Sequence, residues 1–270
     1  MGNEILEQTR PEGVTILKRL VDIVHEIDPT RPVVSACDKI DAPYAASGPT
    51  LDAFLDALHV VGYNYVDRWG ERREKAYSID RERHPDRRVI GSENVSVGGI
   101  RGLYLLEPDA SGAMGFWRRA PYYTSMIEAE LLWKFTRAHD YVAGDFMWTG
   151  IDYLGEAHWP HKNSSSGVID MCGFPKDGYY FCQSQWTAAP MVHLFPHWTW
   201  PGREGRVIPV VCYTNCDSVE LFLNDTSLGV KSYKSAYRGF DRTKGFFEQT
   251  PPPAWPTTAD LHLTWDVPYA

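Results

Sequence analysis

The chain has 270 residues, 43% of them apolar and 13% aromatic, enough to bury a sizeable core and too much for an intrinsically disordered polypeptide. A formal net charge of −8 and a pI near 5.6 exclude the concentrated basic surface that nucleic-acid phosphates require, so nucleic acid is not an expected partner. No apolar run reaches the roughly 18 residues of a membrane span and no signal peptide opens the chain, so no membrane partner is expected either.

In chain order, the first two thirds alternate helix and strand, the pattern of a parallel sheet wrapped by helices. Pro11 suits a first helical turn, and Val14, Leu17, Leu20, Val21, Val24 and Ile27 recur at helical spacing before Asp28-Pro29 stops the run. Pro32 to Cys37 reads as a short apolar strand, Leu51 to Leu58 as a helix, and His59 to Tyr65 as the next strand. The charged stretch from Gly70 to Arg83 follows as a helix, with Arg81, Arg83, Arg87 and Arg88 as its solvated end, and Arg88 to Glu93 as a third strand. Five glycines between 97 and 120 mark an irregular loop; such loops on a regular scaffold often carry function. A helix from Tyr122 to Ala138 and a strand from Tyr141 to Trp148 close the series.

Beyond Pro190 the pattern changes to β-rich runs separated by Pro and Gly, with strands expected over Val207 to Thr214, Ser218 to Leu223 and Ser227 to Tyr233. Asn224-Asp225 supplies a hairpin turn. The five cysteines, Cys37, Cys172, Cys182, Cys212 and Cys216, are odd in number and scattered, and they read as buried free thiols rather than a disulfide framework. Cys212 and Cys216 have no companion cluster to complete a zinc site, so no metal-ligating residues are assigned, and the metal dependence of the full-length form stays open.

The strand ends fall near residues 4, 37, 65 and 93, a period close to thirty. A (β/α)₈ barrel uses about 250 residues for eight repeats, so three repeats take roughly 94. Glu4 and Glu93, 89 positions apart, therefore fit the same rim of one sheet, three strands from each other. Two carboxylates facing across a pocket are the minimal equipment for cleaving a glycosidic bond, one giving a proton and the other attacking or activating water. The ten tryptophans and fifteen tyrosines add flat faces suited to the apolar side of a sugar ring, although large rings also fill cores.

Several strings then carry a more specific signal. They are Gly2-Asn3-Glu4, Ile90-Gly91-Ser92-Glu93-Asn94, the run from Gly144 to Glu156, Gly173 to Asp177 followed by Gln183 to Trp186, His193 to Trp198, and Val219 to Asn224. In this order and at this spacing they resemble glycoside hydrolase family 2, especially its bacterial β-galactosidase-like members. The resemblance implies the second half of a (β/α)₈ TIM barrel at residues 1–190. It implies an incomplete, all-β immunoglobulin-like sandwich at 191–270. Because further strands and β-sandwich domains precede Asn-Glu in the family, the chain reads as a fragment, and half a barrel alone is expected to aggregate and to show little activity.

Residue roles follow from the same match. Glu4 would be the general acid/base, Glu93 the nucleophile, and Asn3 a donor to the sugar 2-hydroxyl. Tyr65, with Tyr63 as the weaker choice, would hold Glu93 ionised. Trp148 would floor the sugar site. Asp152 and Glu156 have two readings, sugar contact or a salt bridge to Arg or Lys. For Trp198, Trp200 and Trp255 domain packing is preferred to carbohydrate binding. The implied activity is retaining hydrolysis of a terminal β-linked sugar, most directly a β-galactoside, with no cofactor. β-Glucuronidase or β-mannosidase specificity and a non-catalytic carbohydrate binder are the alternatives. The expected partner is an oligosaccharide or β-glycoside; compartment and oligomeric state stay open.

Overall fold

The computed structural model describes residues 2–40, 48–66, 76–94, 99–104, 129–130, 132–134, 136–137, 139–157, 162–232 and 261–270. The expected loop from 97 to 120 and the start of the helix at Tyr122 fall largely outside these residues, as do Trp255 and the first part of the Gly70–Arg83 stretch. The chain divides into two compact units, one built on 1–95 and 131–148, the other on 96–130 and 149–240 with the C-terminus.

The first unit is a parallel sheet. Its strands β1 (Val34–Cys37), β2 (Val60–Asn64), β3 (Val89–Asn94) and β4 (Val142–Met147) lie in sequence order, each parallel to the next. The short apolar runs of the sequence account for them: a strand covered on both faces needs no polar alternation, and Val61, Gly62, Tyr63 and Asn64 are all buried. The N-terminal segment extends the sheet beyond β1. Asn3 bridges Ala36 in parallel, Glu4 donates its backbone N–H to the Ala36 carbonyl at 3.0 Å, and Ala36 donates to that of Gly2 at 3.3 Å. Five extended segments therefore point the same way, and their carboxyl ends share one edge.

The connections are helical. A 3₁₀ turn (Leu6–Thr9) leads into α1 (Pro11–Ile27), with Pro11 in its first turn. The buried line of α1 is Gly13, Leu17 and Val21, an i, i+4 series. This is narrower than the apolar pattern suggested, so Leu20 and Ile27 are exposed, at 38% and 80%. Helix α2 (Asp52–Leu55) is one turn rather than the eight residues expected, burying only Phe54 and Leu55. Within the described residues α3 spans Ala76–Arg83. Arg87 corrects the picture of a solvated basic run: its side chain is only 6% exposed and pairs with Asp52 and Asp56. Residues 129–130, 132–134 and 136–137 are helical ahead of β4.

In the second unit the strands become antiparallel. Strand β6 (Val207–Thr214) pairs with β5 (Val192–Phe195) on one side and β9 (Leu263–Pro268) on the other. Strands β7 (Ser218–Leu223) and β8 (Thr226–Ser232) form a hairpin whose turn holds Asn224 at φ +53°, a conformation asparagine tolerates better than most residues. Val210, Cys212, Leu221, Leu263, Trp265 and Val267 make its core, with Trp198 packed against them. Helix α4 (Asp177–Trp186) was not anticipated from the sequence, because Tyr179, Tyr180 and Phe181 obscure its period. The buried Glu130 accepts from the Tyr213 hydroxyl at 2.8 Å and pairs with His262 at 2.8 Å. All five cysteines are free; Cys172 is exposed, against the expectation of burial, and Cys37, Cys182 and Cys212 are buried, their thiols pushed up to about 12 by that burial.

Candidate active site

Asn3 and Glu4 lie at the carboxyl end of the first extended segment. Neither side chain caps the 3₁₀ turn that follows, whose preceding residue is Ile5. Glu4 instead adopts φ +52°. For a residue with a Cβ that left-handed conformation costs about 1–2 kcal/mol, and a surface carboxylate with no task gains nothing in return.

Above the sheet one buried amide gathers this corner. Asn64, the last residue of β2, is fully buried. Its Nδ2 donates to Asn3 Oδ1 at 2.8 Å and to Glu4 Oε1 at 3.1 Å, while its Oδ1 accepts from the Ser92 hydroxyl at 2.7 Å. Gly62 leaves the space: a Cβ there would lie 2.5 Å from Ser92 Oγ and 2.7 Å from the Ser35 carbonyl oxygen. Sequence reading passed over Asn64. The available signal was an amide inside the otherwise apolar run Val60 to Tyr65, because a polar group at a buried strand position must find partners.

Glu93, the penultimate residue of β3, is half-buried and in register with Asn64 where the β2–β3 ladder shifts. Tyr65 follows at φ +50° and donates its backbone N–H to the Glu93 carbonyl oxygen at 2.6 Å. Two of the four non-glycine residues recorded at positive φ are thus Glu4 and Tyr65, both on the edge where the carboxyl ends meet. Tyr63, the weaker choice for holding Glu93, is a core residue whose hydroxyl donates to Asp80 at 2.8 Å; burial, then Asp80, raises its phenol well above the usual range.

The residue after Glu93 is anchored from below. Asn94 Oδ1 accepts from the Val66 backbone N–H at 3.0 Å, and Asn94 Nδ2 donates to the Tyr77 hydroxyl at 3.0 Å and to Asp145. Asp145 also accepts from Tyr77 at 2.8 Å and from Thr136. This knot occupies the space over Gly91, where a Cβ would fall 1.6 Å from Asp145 Oδ1, so the glycine two residues before Glu93 is a packing requirement. Trp148, half-buried just past β4, donates its backbone N–H to the Asn94 carbonyl at 2.9 Å. Glu4, Glu93, Tyr65, Asn3 and Trp148 all belong to the first unit.

Asp152 belongs to the second unit. Of its two readings the structure has the salt bridge: Asp152 Oδ1 pairs with Lys176 Nζ at 2.7 Å, both side chains 6% exposed, and accepts from the Gly167 backbone N–H at 2.8 Å. Glu156, exposed, accepts from the Tyr153 hydroxyl. In the same unit Asp177 accepts from Tyr104 at 2.8 Å and pairs with His193 at 2.7 Å, which gives the Lys176-Asp177 and His193 strings a structural use. Trp198 packs on the core and Trp200 donates from its ring to the His197 carbonyl at 2.9 Å. Among the described residues no group of three or more His, Cys, Asp or Glu is placed to hold a metal, and no helix is long and apolar enough to cross a membrane.

Comparison with known proteins finds relatives along most of the chain. A β-galactosidase of Bacteroides ovatus is 36% identical over 254 residues, which are 85% of this chain and 28% of that protein. A putative β-glucuronidase of Formosa agariphila is 48% identical over 112 residues, 39% of this chain and 11% of that protein. The crystal structure of a glycosyl hydrolase family 2 member from Bacteroides cellulosilyticus aligns over the whole chain with a TM-score of 0.65 and 28% identity, covering 29% of that structure. Along most of its length the chain is similar to members of glycoside hydrolase family 2. It spans less than a third of the length of these family 2 relatives. A family model described as a domain of unknown function (DUF4982) matches residues 205–270, the stretch that holds strands β6 to β9.

Proposed function

We propose that the whole protein is a retaining β-glycosidase and that this chain carries both of its catalytic carboxylates. On this reading the parallel sheet is the second half of a (β/α)₈ barrel within residues 1–190, and the antiparallel strands of 191–270 belong to an immunoglobulin-like domain. Glu93 attacks the anomeric carbon to form a glycosyl-enzyme. Glu4 protonates the departing oxygen, then takes a proton from the water that releases the sugar.

One observation supports this most: Glu4 and Glu93 end two parallel segments of the same sheet, three strand spacings apart. Spacings of about 4.8 Å would hold their backbones about 14 Å apart on a flat sheet. Side chains converging over a concave face narrow that gap toward the ~5–5.5 Å that a covalent intermediate requires. The left-handed backbone of Glu4 is a second, independent support, since such conformations persist where surrounding structure and function demand them. Asn3 serves the sugar 2-hydroxyl, Tyr65 the ionised Glu93, and Trp148 the floor. Asp152 is left out of the sugar contacts, its carboxylate being held by Lys176.

The substrate is a terminal β-linked sugar. A β-galactoside is supported by a 36%-identical relative that matches 85% of this chain, and a β-glucuronide by relatives that match 39%, 80% and 83% of it. Comparing kcat/KM for 4-nitrophenyl β-galactoside, β-glucuronide and β-mannoside on the whole protein decides between them. Hydrolysis of the galactoside at least tenfold above the others is the expected result. Tenfold preference for the glucuronide reassigns the sugar while leaving the carboxylates in place, and sugar binding without turnover of any of the three removes the enzymatic reading.

A further inference from the structure

We propose that Asn64 is a positioning residue that sets the orientation of both Asn3 and the acid/base Glu4 through a single side-chain amide; this rests on the function proposed above. The amide is fully buried, and its polar capacity is used on named partners: Asn3 and Glu4 from Nδ2, Ser92 to Oδ1.

An ionised carboxylate only accepts. Glu4 facing Asn64 therefore fixes Nδ2 on its own side and turns Asn64 Oδ1 toward Ser92, whose hydroxyl can donate. The second proton of the same NH₂ group reaches Asn3 Oδ1, which turns the Asn3 NH₂ group away from Asn64. A sugar hydroxyl needs that donor. One buried amide thus links the charge state of the acid/base to the presentation of the neighbouring donor. Because Asn64 stands at the end of β2, next to β3, and reaches the first segment across β1, it also ties the Glu4 corner to the strand that carries Glu93. Gly62 and Ser92 shape the floor on which it rests.

The contact with Glu4 distinguishes positioning from simple support. A displaced acid matters only when the leaving group needs a proton, so the defect depends on leaving-group basicity. Misplacement by about 1 Å costs roughly a hundredfold in rate.

The test is a series of aryl and alkyl β-glycosides of graded leaving-group pKa, run on the whole protein with Asn64→Ala, Asn64→Asp, Ser92→Ala and, in parallel, Glu4→Ala. For Asn64→Ala, kcat/KM is expected to fall about a hundredfold with alkyl or unactivated phenyl leaving groups and only a fewfold with 2,4-dinitrophenol. Ser92→Ala is expected to follow the same trend more weakly. In Asn64→Asp the added carboxylate beside Glu4 makes a charged acid/base less favourable, so the alkaline limb of kcat/KM for poor leaving groups moves to higher pH. Equal losses across all leaving groups, or none, overturn the proposal for Asn64. If Glu4→Ala itself shows no leaving-group dependence, the assignment of Glu4 fails instead, and the two failures are told apart in one data set. Thermal melting of each variant identifies unfolding, and Ser92→Ala, which removes no group touching Glu4, carries the test should Asn64→Ala not fold.

Discussion

At the scale of single residues, the shared sheet edge of Glu4 and Glu93 was legible from their spacing, whereas the groups packed around it were not. A period close to thirty carries Glu4 and Glu93 to one edge without any contact being known. Asn64, Ser92 and Asp145 hold that edge through pairings between residues 28 to 60 positions apart, which no local pattern encodes. Asp152 had two readings because an acid just past a strand end looks the same whether it meets a sugar or a lysine; its partner Lys176 lies 24 positions on, beyond any local pattern. The pair it makes yields a stability prediction. Replacing Lys176 by Met leaves a buried carboxylate without its cation and should cost about 3–5 kcal/mol, read by urea denaturation, with the Asp152→Asn, Lys176→Met double variant recovering part of the loss. A cost near zero for Lys176→Met would mean that water reaches the pair.

At the scale of elements, strands were read better than helices. Strands β1 to β4, β6 and β7 lie within a few residues of their expected limits because short apolar runs bounded by Pro, Gly or charge are distinctive. Helix α2 shrank to one turn and α4 went unseen, since neither has a clean 3.6-residue stripe. The β3–β4 contact shows how tightly the strands are keyed. Gly91→Ala would drive a methyl group into Asp145 and should lose about 3 kcal/mol; melting close to the parent would contradict the packing described for Gly91. Tyr77, in the same knot, is held protonated first by burial and then by Asp145. Its folded pKa lies above its unfolded value near 10.0, so this contribution to stability is present below pH 10 and is lost as pH rises through the folded value. Tyr63 behaves alike. Stability measured between pH 8 and 12 should fall on the alkaline side, less steeply in Tyr77→Phe, and an identical slope in parent and variant would sink the assignment.

At the scale of the molecule, the change from parallel to antiparallel pairing matches the change in sequence texture near 190. The compact units do not follow that line, because residues 149–190 cluster with the β-rich part. Sequence texture reports strand pattern, and clustering reports contacts, so the two need not coincide. Large apolar side chains lie exposed along strands: Phe146 at 64%, Phe222 at 55% and Val230 at 62%. Apolar strand surface of this kind drives association. The 270-residue chain purified alone should therefore sediment as a distribution of oligomers, and a single monomeric species with a sharp melting transition would contradict this.

The central claim is that Glu93 is the nucleophile of a retaining glycosidase working opposite Glu4. A 2-deoxy-2-fluoro β-glycoside of the preferred sugar, carrying a dinitrophenolate leaving group, traps the covalent intermediate for mass analysis of the digested protein. The account predicts one added sugar per molecule, on the peptide containing Glu93, and no label in Glu93→Gln. A label on any other carboxylate in an active protein would contradict it.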